Sequence, residues 1–176
     1  ITYTFSKFIN ELVKKKELNV DFRETGSTEI INNVASGEYN LGIIRYSNRH
    51  EKYFKSIMAD KSLQRKQLWE FEYLVLMSEE NPLAKSKEIR LEDLELFTEI
   101  THGDFSVPSV NHTQLYKNDA QPKNQSRIYI YERGSQFDLL NGVPTTYMWV
   151  SPLPSEILKE HKLVQRRCVN VGDMCK

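Results

Sequence analysis

Residues 20 to 46, VDFRETGSTEIINNVASGEYNLGIIRY, constrain the fold of this chain more than any other stretch. They read strand, turn, helix, turn, strand. Val20 and Phe22 alternate with charged neighbours, as in a half-buried strand. Gly26 permits a sharp turn. Ser27 can cap the helix that follows, and Glu29 lies in its first turn, where a carboxylate suits the positive end of the helix dipole. Ile30, Ile31 and Val34 supply an apolar stripe, and Gly37 is a C-terminal stop. Leu41, Gly42, Ile43 and Ile44 form a short apolar run of the kind buried on both faces of a parallel sheet. The stretch is therefore expected to be a βαβ unit. Ser27 and Thr28 stand at the carboxyl end of its first strand, and Arg45 and Tyr46 at the end of its second. That edge is where open α/β sheets bind ligands.

The rest of the chain continues the alternation. Phe5, Phe8, Ile9, Leu12 and Val13 predict a helix over 4–16, with Phe5, Phe8, Ile9 and Leu12 in the core. Tyr53, Phe54, Ile57 and Met58 fall at helical spacing within 48–60. Residues 68–77, LWEFEYLVLM, read as a long strand that Asn81-Pro82 terminates. A short helix is expected over 91–96, a strand over 97–101 and a loop at 102–104. The polar stretch 105–126 suggests only a short helix at 109–116. RIYIY at 127–131 reads as a strand from its β-branched and aromatic content. Gly134-Ser135 opens a helix ending at Gly142, followed by a strand at 145–150, a helix at 155–161 capped by Ser155, and a strand-like segment at 163–171. Pro152 and Pro154 mark a second crossing, after the one at 68–77. Alternating strands and helices predict an α/β fold with mostly parallel sheet. The two crossings divide it into a first lobe, 1–70 plus 152–176, and a second, 71–151, with a cleft between.

Composition excludes several classes. The 24 basic and 24 acidic side chains cancel, which argues against a dedicated nucleic-acid surface. No run of about 18 apolar residues suggests a membrane span. Cys168 and Cys175 are compatible with a disulfide or with two reduced thiols, and no Cys or His cluster completes a zinc site. Neither a Gly-x-Ser-x-Gly elbow nor a phosphate-binding loop is present, and the four histidines are scattered. No nucleophile with its base can be identified, so catalysis is not expected.

Three segments carry a resemblance: ETGSTEIINNVASGEYNLGII, LWEFEYLVLMSEENPLA and IRLEDLELFTEI. In that order they resemble the effector-binding domain of LysR-type transcriptional regulators across most of residues 5 to 100. Beyond residue 105 the likeness rests on Gly134-Ser135, a helix, and a strand ending in Ser151-Pro152. The glycine-rich segment that usually precedes the second crossing is missing. The resemblance implies a two-lobed fold of the type 2 periplasmic-binding-protein kind, each lobe a mostly parallel sheet flanked by helices. It implies a small-molecule effector in the cleft, a cytoplasmic homodimer or homotetramer with head-to-tail contacts, and DNA bound only through an N-terminal winged helix-turn-helix outside this chain. A first strand and a C-terminal helix would also lie outside it. No cofactor, metal or membrane is implied. A transporter's solute-binding protein of the same fold is the alternative.

Each candidate site residue has two readings. Ser27 and Thr28 can serve as helix cap and as donors to an anionic ligand. Arg45 can clamp a carboxylate bidentately or pair with Glu24. Tyr46 lines the wall of the site. Ile100 and Thr101 end the first strand of the second lobe and offer backbone groups. His102 is either an anion contact or a solvated loop residue. Gly134 and Ser135 open a helix, either as an ordinary cap or as a second anion-binding turn opposite Ser27.

Overall fold

The computed structural model describes residues 2–14, 19–103, 126–169 and 174–175. Helix α1 spans Thr2–Leu12. Its Phe5 ring stacks on Phe22 at 4.1 Å, which ties the helix to the segment that follows. Phe5, Ile9 and Leu12 are half-buried, but Phe8 is 54% exposed and is not a core residue.

Helix α2, Ser27–Ala35, forms where the apolar stripe predicts it. Gly37 ends it with φ +78°, a left-handed conformation that glycine adopts without strain. Gly26, not Ser27, occupies the N-cap position. The flanking residues 20–22 and 41–44 carry no strand ladder among the described residues, against the expected βαβ unit. Apolar alternation specifies one face of a strand; the strand itself exists only through a hydrogen-bonded neighbour. Val20 (41% exposed) and Leu41 (76%) accordingly stand open. Gly42 is pressed against α2, since a Cβ there would lie 2.5 Å from Ile30 Cγ2. Helix α3, Glu51–Asp60, follows a 3-10 turn at Asn48–His50 that the Ser47 hydroxyl caps. Ile31, Tyr46, Phe54 and Met58 bury themselves between α2 and α3. Phe54 is fully enclosed, and burying a side chain of that size contributes roughly 1.5–3 kcal/mol.

The expected strand at 68–77 is two strands, β1 (Phe71–Glu72) and β2 (Leu74–Ser78), broken at Tyr73. The remaining strands are β3 (Glu88–Arg90), β4 (Thr98–His102), β5 (Arg127–Ile130), β6 (Thr146–Val150), β7 (Leu163–Val169) and β8 (Met174–Cys175). Helices α4 (Gln136–Gly142) and α5 (Ser155–Glu160) complete the order. The expected helix at 91–96 is a 3-10 helix whose Asp93 carboxylate accepts from the Arg90 backbone N–H at 2.8 Å. Pro154, and not Ser155, holds the N-cap of α5. The helix expected at 109–116 lies outside the described residues.

β1 pairs with β8 in a two-stranded sheet, and the other six strands run in the order β3-β7-β2-β6-β4-β5. The pairs β3–β7, β4–β5 and β4–β6 are parallel, while β2 runs antiparallel to β6 and β7. β7 pairs with β2 along Leu74↔Arg167 to Ser78↔Leu163, inside the large sheet. Two cores flank that sheet. Val75, Met77, Tyr147 and Cys168 pack on one face against Ala84, Ile89 and Leu94. Leu76, Ile100, Met148 and Leu163 pack on the other against Leu140 of α4. β2 is thus buried on both faces, as a central strand requires. The Arg166 guanidinium donates to the Ser86 carbonyl at 2.7 Å and to the Ala84 carbonyl, fastening the turn at Pro82–Lys85 to β7. Cys168 is a free, buried thiol.

Candidate functional site

Two groups of the expected site residues come together locally. In the first, the Ser27 hydroxyl donates to the Arg45 carbonyl at 2.9 Å. It is turned across to the neighbouring segment and makes no cap on its own helix. Residues 18 positions apart, one at the start of α2 and one beyond its end, are thereby joined. The Arg45 side chain is exposed, and its guanidinium lies over the Tyr73 ring, 5.6 Å from the centroid. Thr28 follows Ser27 on the first turn of α2. On the same turn the Glu29 carboxylate accepts from the Thr25 hydroxyl and pairs with Arg23 at 3.3 Å. Tyr46 stacks on Phe54 at 4.8 Å and is buried, so its ring belongs to the core beneath Arg45.

The second group gathers at the carboxyl ends of β4 and β5. Ile100 is 1% exposed and its side chain points into the core under α4. Only its backbone faces the strand end. Thr101 and His102 end β4 beside Tyr129 and Ile130. The Gly103 N–H donates to the Ile130 carbonyl at 2.8 Å, and the Tyr131 ring covers Gly103 so closely that a Cβ would meet it at 2.5 Å. At Gly134 and Ser135 the donors are already engaged. The Gly134 and Ser135 N–H groups donate to one Glu132 carboxylate oxygen at 2.7 and 3.2 Å, and the Ser135 hydroxyl donates to the other. These bonds, the Ser135 hydroxyl first, hold the Glu132 carboxyl below its usual range, with a smaller contribution from the charge of His102. The chain's own carboxylate therefore occupies the turn that the sequence offered to an anion. A Glu three residues before a Ser is the local signal that could have revealed it.

The sequence also left three neighbouring groups unmarked. Tyr73 had no signal, because its contact with Arg45 is tertiary. Glu99 and Arg127 sit opposite each other on β4 and β5, with Arg127 Nε 2.8 Å from Glu99 Oε2. Tyr147 lies opposite Glu99 on β6, its hydroxyl buried with no hydrogen-bond partner among the described residues.

A cavity of about 420 Å³ lies elsewhere, lined by Glu79, Glu80, Asp138, Glu160, His161 and Lys162 among others. Ser78, which ends the antiparallel β2, also borders it, so it opens at the amino edge of β4, β6 and β7. None of the sequence-expected residues lines it. Among the described residues no cluster of His, Cys, Asp or Glu could hold a metal ion.

A two-stranded and a six-stranded sheet joined through a broken crossing strand, with helices against them, make a mixed α/β domain, the periplasmic-binding-protein-like fold of the solved regulatory domains it superposes on. The LysR substrate binding domain family matches residues 12–121, more than half of the chain, and the chain belongs to that family. The effector-binding domain of QuiR, solved with shikimate, superposes with a TM-score of 0.63 at 16% identity, covering 98% of this chain and 80% of that one. The reduced regulatory domain of OxyR from Pseudomonas aeruginosa superposes at 0.51 with 13% identity, covering 85% and 67%. The regulatory domain of MetR from N. meningitidis gives 0.47 at 18% identity, over 62% of this chain; the chain spans only 52% of that domain's length. No curated protein matches by sequence.

Proposed function

We propose that the chain is the effector-sensing part of a LysR-type transcriptional regulator, non-enzymatic, acting in the cytoplasm as an oligomer whose DNA contacts are made by another part of the polypeptide. The observation that carries the site is the joining of Ser27 to Arg45 at the start of α2. A helix N-terminus without a side-chain cap and an exposed guanidinium suit a small organic anion. Thr28 supplies a further hydroxyl at that turn. Thr101 and His102 form the facing edge, with Ile100 contributing backbone groups. The Gly134 and Ser135 donors are taken by the Glu132 carboxylate, so they are left out of the anion site. Tyr46 supports the floor.

The large sheet already includes β7, so the lobe boundary we favour places 163–169 with residues 71–151. Effector binding would favour one arrangement of the two units and bias the oligomer by its differential affinity for them. No helix among the described residues is long and apolar enough to cross a membrane.

The test is a thermal-shift screen of organic acids against the full-length regulator, since a ligand that binds the native state raises its apparent stability. The hit is then titrated by calorimetry into Arg45→Ala and Ser27→Ala. Weakened binding in both, with fold and oligomer intact, is expected. Unchanged affinity in both would remove this pocket from consideration.

A further inference from the structure

We propose that Tyr73 is a positioning residue for Arg45, holding its guanidinium ready for a carboxylate; this rests on the anion-binding reading of Arg45 given above. Arg45 is exposed, and an unrestrained arginine there would sample many rotamers. Two contacts restrain it. Its carbonyl accepts the Ser27 hydroxyl at 2.9 Å, fixing the backbone against α2. Its guanidinium lies 5.6 Å from the Tyr73 ring centroid, within the range of a cation–π attraction.

That attraction acts through the ring face. The N–H donors of a guanidinium lie in its own plane, at the rim, in a fork that matches a carboxylate. A guanidinium lying flat on the ring is thus ordered without consuming the donors that a carboxylate needs. Tyr73 is itself held. Phe71 meets it edge-on at 5.8 Å and 90°, and Phe71, only 8% exposed, packs in turn on Trp69 at 4.8 Å. Three aromatic residues at alternate positions thus form a column along the crossing segment. Tyr73 is also the residue at which that segment breaks, immediately before β2, the strand held between β7 and β6. A ligand that engages Arg45 consequently acts on the joint between the two sheets.

The experiment follows the Nε–H resonance of Arg45 in the whole chain, labelled at arginine, during titration with benzoate and with uncharged benzamide. Tyr73→Leu removes the ring; Tyr73→Phe keeps its face. In the native chain the resonance should carry a ring-current shift and respond to benzoate but not to benzamide. Tyr73→Phe should retain both properties. Tyr73→Leu should lose the ring-current shift and weaken benzoate by about two- to fivefold, the range of an exposed cation–π contact. Native affinity in Tyr73→Leu, with Arg45 still responding to benzoate, would overturn the positioning role and leave the carboxylate site standing. A native Arg45 that carries the ring-current shift but ignores benzoate would overturn the site, and this proposal with it.

Discussion

The Glu99–Arg127 pair should respond very unequally to loss of its two members. Glu99 Oε2 and Arg127 Nε are 2.8 Å apart, with the side chains 5% and 17% exposed. Burial raises the Glu99 carboxyl above its ordinary value of 4.5, although the hydrogen bond and charge of Arg127 pull the other way. Desolvation therefore outweighs the ion pair. Glu99→Gln removes the charge that pays this penalty and keeps an amide oxygen for Arg127, so it should lie within about 1 kcal/mol of the native chain at pH 7. Arg127→Met instead strands the carboxylate. Its escape is protonation, which sets a ceiling on the electrostatic loss: with an ordinary value of 4.5, about 3.4 kcal/mol at pH 7 and about 0.7 kcal/mol at pH 5. The sign for the native chain is fixed by the same shift. A raised carboxyl adds stability that is fully present below about pH 4.5 and is lost as the pH rises through its folded-state value. Glu99→Gln should abolish that decline. Urea unfolding of the three proteins at pH 5 and pH 7 measures each quantity. A Glu99→Gln deficit as large as that of Arg127→Met at pH 7, or an Arg127→Met deficit that does not shrink on acidification, would refute the balance.

Phe54→Ala should cost about 3–5 kcal/mol in thermal or urea unfolding, because Phe54 is fully buried between α2 and α3 and stacks on Tyr46. Gly37→Ala should cost about 1 kcal/mol from its φ of +78° alone, since nothing lies within 4 Å of an added Cβ. Gly42→Ala should cost more by the same measurement, as its Cβ would collide with Ile30 at 2.5 Å. The Cys168 thiol, pushed up to about 11 chiefly by burial, should resist iodoacetamide at pH 8 in the native chain and react on unfolding, as read by intact mass.

The elements that the sequence revealed are those whose cause is local. A stripe at helical spacing and a glycine past its end are enough to make α2, and Gly37 takes the left-handed conformation that such an end requires. The apolar run at 41–44 shows the limit of the same logic. Its side chains predict a strand, but a strand is a relation between two segments, and periodicity in one of them does not supply the other. β7 makes the point from the opposite side. LVQRRCV was legible as extended chain, yet its place beside β2 depends on Arg166 reaching the carbonyls of Ala84 and Ser86 and on Cys168 filling the core next to Tyr147. None of these partners is near it in sequence.

The site divides along the same line. Ser27 and Arg45 were legible as residues of one edge, flanking the same helix, but the hydrogen bond from the Ser27 hydroxyl to the Arg45 carbonyl was not, because the sequence offered Ser27 as a cap and Arg45 as a partner for Glu24. Gly134 and Ser135 were legible as donors but not as engaged ones, because the carboxylate that takes them, Glu132, also reads as ordinary surface charge. Tyr73 was hidden for a third reason. In the sequence it is one more apolar residue in a long strand, and only the break between β1 and β2 sets its ring against Arg45. The crossing segment thus does two things that a continuous strand would not. It enters the large sheet as a central strand, and at the residue where its ladder fails it places an aromatic face under the Arg45 guanidinium.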